Sequence, residues 1–124
     1  PCRAPPLGTG SRAVARAPIL PGLDGMVVYL GGQVELADYA ESGSDELADA
    51  VVRGLGPRSA VLLSAHGVLT TGKDLEKGFK NAELVEHVAE VVTRAQQIRG
   101  GALPLLPAEG IEAEQQMYAI VKGM

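Results

Sequence analysis

The fold of this chain is decided by residues 60–72, which read AVLLSAHGVLTTG. An apolar run that favours a β-strand is followed by a break at His66-Gly67 and by a second short run of the same kind. This order predicts a buried strand, a turn at the histidine and a second strand. A histidine at the end of a buried strand can be held rigidly, and the glycine after it lets a ligand or metal approach closely. His66 is therefore a candidate ligand-binding residue, and a packed structural histidine is the competing interpretation.

Helical patterns lie on both sides of this stretch. On the amino-terminal side, Ser42 or Ser44 can cap a helix whose apolar stripe recurs every four residues and which ends near Gly54-Leu55-Gly56. On the carboxy-terminal side, Asp74 can cap a long helix that reaches about Arg99 and is stopped by Gly100-Gly101. The residues predicted to form the buried face of the long helix are Leu75, Phe79, Ala82, Val85, Ala89 and Val92.

The sequence of the first 37 residues indicates less regular structure than the segments that follow it. Residues 1–17 are interpreted as an irregular tail, and Gly8-Thr9-Gly10 within them lacks the strand and helix that a phosphate-binding loop requires. Residues 18–124 then form the folded domain. Met26–Leu30 is predicted to be a buried strand that forms a hairpin, through Gly31-Gly32, with a half-exposed strand at 33–37.

Composition excludes several classes of function. The chain has 124 residues and a net charge of −4, which argues against nucleic acid or an anionic membrane surface as the main partner. No apolar run approaches the roughly 20 residues that span a bilayer, and the first residues lack the pattern of a secretory leader. Cys2 is the only cysteine. A cytoplasmic location is the simplest expectation, since no disulfide within the chain can form.

Three segments together resemble the class II aldolase family. The resemblance is most specific at residues 61–79, which contain the His-Gly pair. Residues 43–48, GSDELA, are similar to the family's helix before the strand, and residues 81–87, NAELVEH, to its long helix. The resemblance implies an α/β fold, a three-layer αβα domain with a mainly antiparallel sheet. It also implies zinc or another divalent metal with His66 as its third histidine ligand, and a sugar phosphate or related hydroxy-carbonyl substrate.

The rest of the implied metal site is missing from the sequence. By resemblance, the other two ligands form a His-x-His pair about 60 residues before the third. Counting back from His66 reaches Arg3-Ala4-Pro5, and arginine has no lone pair to donate to a metal. We therefore expect a carboxy-terminal portion of the domain, its amino-terminal half missing, that is inactive alone and has no assignable catalytic residue. The alternative is a non-catalytic assembly module, as in the adducin head.

Three further expectations concern the surface of the domain. His87, the only other histidine, is expected to be a surface residue among carboxylates rather than a metal ligand. Tyr118 is expected to be a packing residue, although its phenol could instead reach the site of a neighbouring subunit. Because a half-sheet leaves a strand edge unpaired, we expect a homo-oligomer or poor solubility.

Overall fold

The computed structural model describes residues 6–123. Its regular elements are, in chain order, α1 (Leu7–Val14), α2 (Asp24–Leu30), β1 (Glu35–Ala37), α3 (Asp45–Leu55), β2 (Ala60–Leu63), β3 (Gly67–Thr70), α4 (Leu75–Arg99) and α5 (Ala108–Val121). None of the helices within this range is both long and apolar enough to cross a membrane.

The three strands form one sheet in the order β1-β2-β3. β2 and β3 pair antiparallel, with Ala60 opposite Thr70 and Leu63 opposite Gly67, so the predicted pair of strands around His66 is confirmed. β1 pairs with β2 in parallel. The sheet is therefore mixed, with one pair of each kind.

Helices cover both faces of the sheet. Successive side chains of β2 point to opposite faces, so Leu62 joins a large cluster with residues of α2 and α4, while Val61 joins a smaller cluster with α3. This alternation gives three layers, and the α/β class expected from the sequence is confirmed. The predicted caps are also confirmed: Ser44 begins α3, Asp74 begins α4 and Gly100 ends α4.

The predicted strand at Met26–Leu30 is wrong, because this segment is helical in α2. Met26, Val27 and Leu30 are buried, and a short apolar run cannot by its pattern distinguish a buried strand from a buried helical turn. Gly31 ends the helix with φ of 93°, a conformation that favours glycine. The predicted hairpin is therefore also absent.

The irregular tail predicted for residues 1–17 is wrong where it covers Leu7–Val14, which form α1. This helix has no side-chain cap of its own, and its glycines weaken the helical pattern, so the sequence carries little local sign of it. Long-range contacts stabilise it instead. Gly8, Thr9, Arg12 and Ala13 are buried. Residues 1–5, including Cys2, lie outside the described part of the chain.

The long helix α4 was predicted with the correct bounds but with an incorrect first turn. Leu75 is 90% exposed and Phe79 is 65% exposed, although the helical period assigned both to the core. The buried residues of α4 begin only at Asn81 and continue through Val85 to Val92. The period identifies a face of the helix, and the neighbouring elements decide how much of that face is covered.

Candidate functional site

The turn between β2 and β3 holds His66 from both sides. Ser64 Oγ donates to the Ala37 carbonyl oxygen over 2.7 Å, which links the turn to β1. The Ala65 N–H donates to the Ala13 carbonyl oxygen over 3.3 Å, which links it to α1. Ala65 has φ of 63°, a left-handed conformation that costs a non-glycine residue about 1–3 kcal/mol. Neighbouring elements therefore determine the conformation of the turn that carries His66.

The His66 ring is oriented by the loop that follows β1. Its Nε2 lies 2.9 Å from the Ala40 carbonyl oxygen. Because a carbonyl can only accept, Nε2 carries the proton, and the lone pair of the neutral ring is on Nδ1. The ring also stacks on Tyr39, with a centroid separation of 5.6 Å and an interplanar angle of 13°. The side chain is half-buried rather than sealed inside the core.

Residues 6–123 do not fit a complete metal centre by themselves. A zinc site normally needs at least three donors from the protein, usually histidine, cysteine or carboxylate. Within the described range, no three such side chains converge. His87 is exposed on α4, as expected. The Arg3-Ala4-Pro5 position, where the resemblance implies two more ligands, falls outside the described residues. His66 as a metal ligand therefore stays a prediction.

A carboxylate that the sequence did not predict to be buried accepts hydrogen bonds from the start of α1. The Glu86 carboxylate accepts from the Gly8 N–H over 2.7 Å, the Thr9 N–H over 2.8 Å and the Thr9 hydroxyl over 2.8 Å. Glu86 is not among the residues predicted for the buried face of α4, but it is half-buried. The start of a helix favours negative charge, and here a carboxylate of the same chain supplies it. Gly8-Thr9-Gly10 is thus no phosphate loop, because the Gly8 and Thr9 amides already bind an anion and the Gly10 N–H donates to the Pro6 carbonyl oxygen.

The packing role expected of Tyr118 matches its surroundings. Tyr118 is 8% exposed, and its hydroxyl forms a hydrogen bond with Ser59 Oγ. Its ring lies against Gly31, where a Cβ atom would stand 2.8 Å from the ring edge. Gln115 Nε2 adds a hydrogen bond of 3.2 Å to the Gly31 carbonyl oxygen. These contacts attach α5 to α2.

Two charged groups away from His66 have shifted pKa values. Burial lowers the pKa of Arg12, whose guanidinium donates to the carbonyl oxygens of Ala17 and Pro18 and to the side chains of Thr93 and Gln96. Desolvation, with the Asp24 carboxyl beside it, raises the pKa of Glu114. Arg12 links α1 to α4, and Glu114 of α5 lies beside Asp24 of α2. Neither group contacts His66 in the described structure.

Comparison with known proteins places this arrangement in a family. The model of the class II aldolase and adducin N-terminal domain matches residues 8–93. The chain is 32% identical over 93 residues to a 5-deoxy-D-ribulose 1-phosphate aldolase of Bacillus thuringiensis, covering 75% of this chain and 43% of the relative. It is 36% identical over 95 residues to a 5-methylthioribulose-1-phosphate/5-deoxyribulose-1-phosphate aldolase of Rhodospirillum rubrum, covering 75% of this chain and 42% of the relative.

A solved structure gives the same result in three dimensions. The structure of an L-fuculose 1-phosphate aldolase superposes with a TM-score of 0.82 at 29% identity, covering 91% of this chain and 52% of that one. The chain therefore spans about half the length of the relatives that it matches.

Proposed function

Because this chain belongs to the class II aldolase and adducin family, we propose that it forms part of a metal-dependent domain that cleaves or epimerises a sugar phosphate. In this proposal His66 supplies one metal ligand. The observation that carries it is the position of His66, half-exposed at the turn between two strands, with Nε2 bonded to the Ala40 carbonyl oxygen and no described residue hydrogen-bonded to Nδ1. Zinc, or another divalent cation of similar preference, binds a neutral imidazole of this kind.

The contacts of His66 support a ligand role beyond mere packing. Metal-binding histidines usually donate their second ring N–H to a carbonyl or carboxylate, which fixes the tautomer and the ring orientation. The Ala40 carbonyl oxygen takes that position here. Tyr39 limits rotation of the ring by stacking on it. We propose that these two residues orient His66 for its ligand.

The names of the relatives suggest a substrate class. These relatives are aldolases of 5-deoxyribulose 1-phosphate, 5-methylthioribulose 1-phosphate and fuculose 1-phosphate, all of which are ketose 1-phosphates. We propose a ketose 1-phosphate, or a related hydroxy-carbonyl compound, as the substrate of the functional domain. A homo-oligomer in the cytoplasm is proposed on the same family grounds.

We propose further that the 124-residue chain alone does not turn over substrate. The chain has only two histidines, and the described residues offer no convergent group of three donors. A single imidazole gives weak and unselective metal binding. The second candidate function, a non-catalytic assembly module, is favoured by this same incomplete donor set.

Metal analysis of the purified chain tests the proposal. The experiment compares zinc binding of the wild-type chain with that of His66→Ala, and His87→Ala is the matched control because His87 is the other histidine and is exposed. We expect weak zinc binding that His66→Ala reduces and His87→Ala leaves unchanged. An equal loss in both variants, or no loss in either, would contradict a ligand role for His66.

An assay of aldol cleavage tests the second part. L-fuculose 1-phosphate and 5-deoxyribulose 1-phosphate are incubated with the chain and zinc, and aldehyde release is measured. We expect none above the protein-free control. Turnover that disappears in His66→Ala would show that the chain is an active enzyme and would overturn the expectation of inactivity.

A further inference from the structure

A cavity of about 210 Å³ lies beside the ends of β3 and α5, away from His66. Its lining includes Thr71 and Gly72 after β3, Asn81 of α4, and Tyr118 and Val121 of α5. Carbon atoms form most of its exposed wall. A cavity of about 150 Å³ can bind benzene, so this volume accommodates one ring or a short apolar chain.

Three lysines also line this cavity: Lys73, Lys77 and Lys122. The Lys122 ammonium lies 5.7 Å from the centroid of the Tyr118 ring, which is itself part of the wall. The lining contains no acidic residue. Three cations around one cavity are unusual in a chain with a net charge of −4, because the average surface is negative.

The acidic side chains near these lysines already have other partners. Asp74 and Glu76 share a neighbouring surface groove with Lys73 and Lys77. Asp74 Oδ1 accepts the Lys77 backbone N–H over 2.8 Å as the helix cap. Glu76 pairs with Lys80 at 3.4 Å, and this is the one ion pair within residues 6–123. No described carboxylate lies within ion-pair distance of the ammonium groups of Lys73, Lys77 or Lys122.

The polar groups inside the cavity are held by the fold. Ser59 Oγ and the Tyr118 hydroxyl are hydrogen-bonded to each other, and both residues are buried. Asn81 Nδ2 donates to the Thr71 carbonyl oxygen over 2.8 Å. The interior thus presents hydrogen-bonded hydroxyl and amide groups beside cationic side chains, which suits a ligand with a compact body and an anionic end.

The cavity is separate from the proposed reaction site. His66 precedes β3 and Thr71 follows it, so the two residues lie at opposite ends of the strand, about 17 Å apart for five residues at roughly 3.4 Å each. A substrate phosphate of a reaction at His66 would not reach three lysines at that distance. A ligand bound in this cavity would therefore be distinct from a substrate at His66.

We propose that this cavity binds a small organic anion, a phosphate monoester or carboxylate with a single apolar ring or short chain, whose apolar part enters the cavity while its charge meets Lys73, Lys77 and Lys122. Lysine ammonium groups bind phosphate as point charges, so the site does not require bidentate geometry. This inference does not depend on the proposed function at His66.

The test uses phenyl phosphate as the probe, with inorganic phosphate and phenol as its two halves. Binding to the 124-residue chain is followed by amide chemical shifts in NMR titrations. We expect saturable binding of phenyl phosphate with a dissociation constant on the order of 1 mM. The shifts should concentrate at Gly72, Lys73, Asn81 and Lys122, and each half should bind at least about tenfold more weakly than the whole.

Matched lysine variants separate this site from general attraction of anions. Lys122→Met keeps an apolar stem and removes the charge at the cavity, while Lys80→Met removes a charge on α4 outside it. We expect Lys122→Met to weaken phenyl phosphate binding about fivefold and Lys80→Met to leave it unchanged. Equal effects of the two variants would overturn the proposal. The same holds for an absence of saturable shifts, or for binding of phenol or inorganic phosphate as tight as that of phenyl phosphate.

Discussion

Removal of the Glu86 carboxylate should destabilise the protein strongly, although the residue lies on a surface helix. Glu86 accepts three hydrogen bonds, two from backbone amides and one from the Thr9 hydroxyl, and Thr9 is 0% exposed. Hydrogen bonds to a charged group contribute about 1.5–3 kcal/mol each, and a charge at a helix start adds up to about 2 kcal/mol. These terms are not additive, and the half-buried carboxylate itself loses hydration. We therefore expect Glu86→Ala to lower the free energy of unfolding by about 3–5 kcal/mol.

Glu86→Gln should cost less, about 2 kcal/mol, because the amide keeps one acceptor but turns a donor toward the other N–H group. The assay is denaturant unfolding followed by circular dichroism, with the midpoint and slope compared to wild type. Glu83→Gln is the control, since Glu83 is exposed on the same helix, and it should change the free energy by less than about 0.5 kcal/mol. A loss below about 1 kcal/mol for Glu86→Ala would refute the role of this carboxylate as the cap of α1.

Three further changes test other contacts of the fold. Arg12→Met should cost about 2–4 kcal/mol in chemical denaturation, because it leaves buried carbonyl oxygens without a donor. Gly31→Ala should cost about 2–4 kcal/mol and detach α5, measured by proteolysis near the carboxy terminus, since its Cβ would meet the Tyr118 ring. Glu114→Gln should make the free energy of unfolding depend less on pH. The pKa of Glu114 is raised by desolvation and by Asp24, so the folded state binds more protons than the unfolded chain. The free energy of unfolding of the wild type should then fall as pH rises from the ordinary range of a glutamate, about 4, upward.

The local signals in the sequence were sufficient for the carboxy-terminal part of the fold. Ser44, Asp74 and Gly100 cap helices where the pattern placed them, and the two strands around His66 pair as expected. These features depend on residues within a few positions of one another. The stability of a helix cap or a tight turn depends on residues that are neighbours in the sequence, so the sequence alone can identify it.

The errors in the prediction share a different cause. α1 was missed because its cap, Glu86, lies 78 residues from Gly8 in the sequence, and no local pattern marks such a pair. The sequence of Met26–Leu30 predicts a strand because a short apolar run fits a buried strand or a buried helix equally well. Packing of α2 against α5 favours the helix. Phe79 shows the opposite case. The helical period correctly predicts its helix, but no neighbouring element packs on that part of the helix, and the side chain is exposed. The presence or absence of contacts between residues distant in sequence therefore determines the structure or exposure of each of these segments.

The contacts of α1 lead to a final prediction about the metal site. Glu86 fixes the start of this helix, and the Ala13 carbonyl at its end binds the Ala65 N–H beside His66. The position of the expected His-x-His pair, Arg3 and Pro5, comes directly before this helix in the sequence. If His66 is the third ligand that the family resemblance implies, then Arg3→His with Pro5→His should create zinc binding. We expect at least about a tenfold gain in zinc affinity, measured by competition with a chromophoric chelator. Adding His66→Ala to the double variant should abolish the gain, whereas adding His87→Ala should not. A gain that survives His66→Ala would show that the new histidines bind zinc without His66, and it would contradict the proposed geometry.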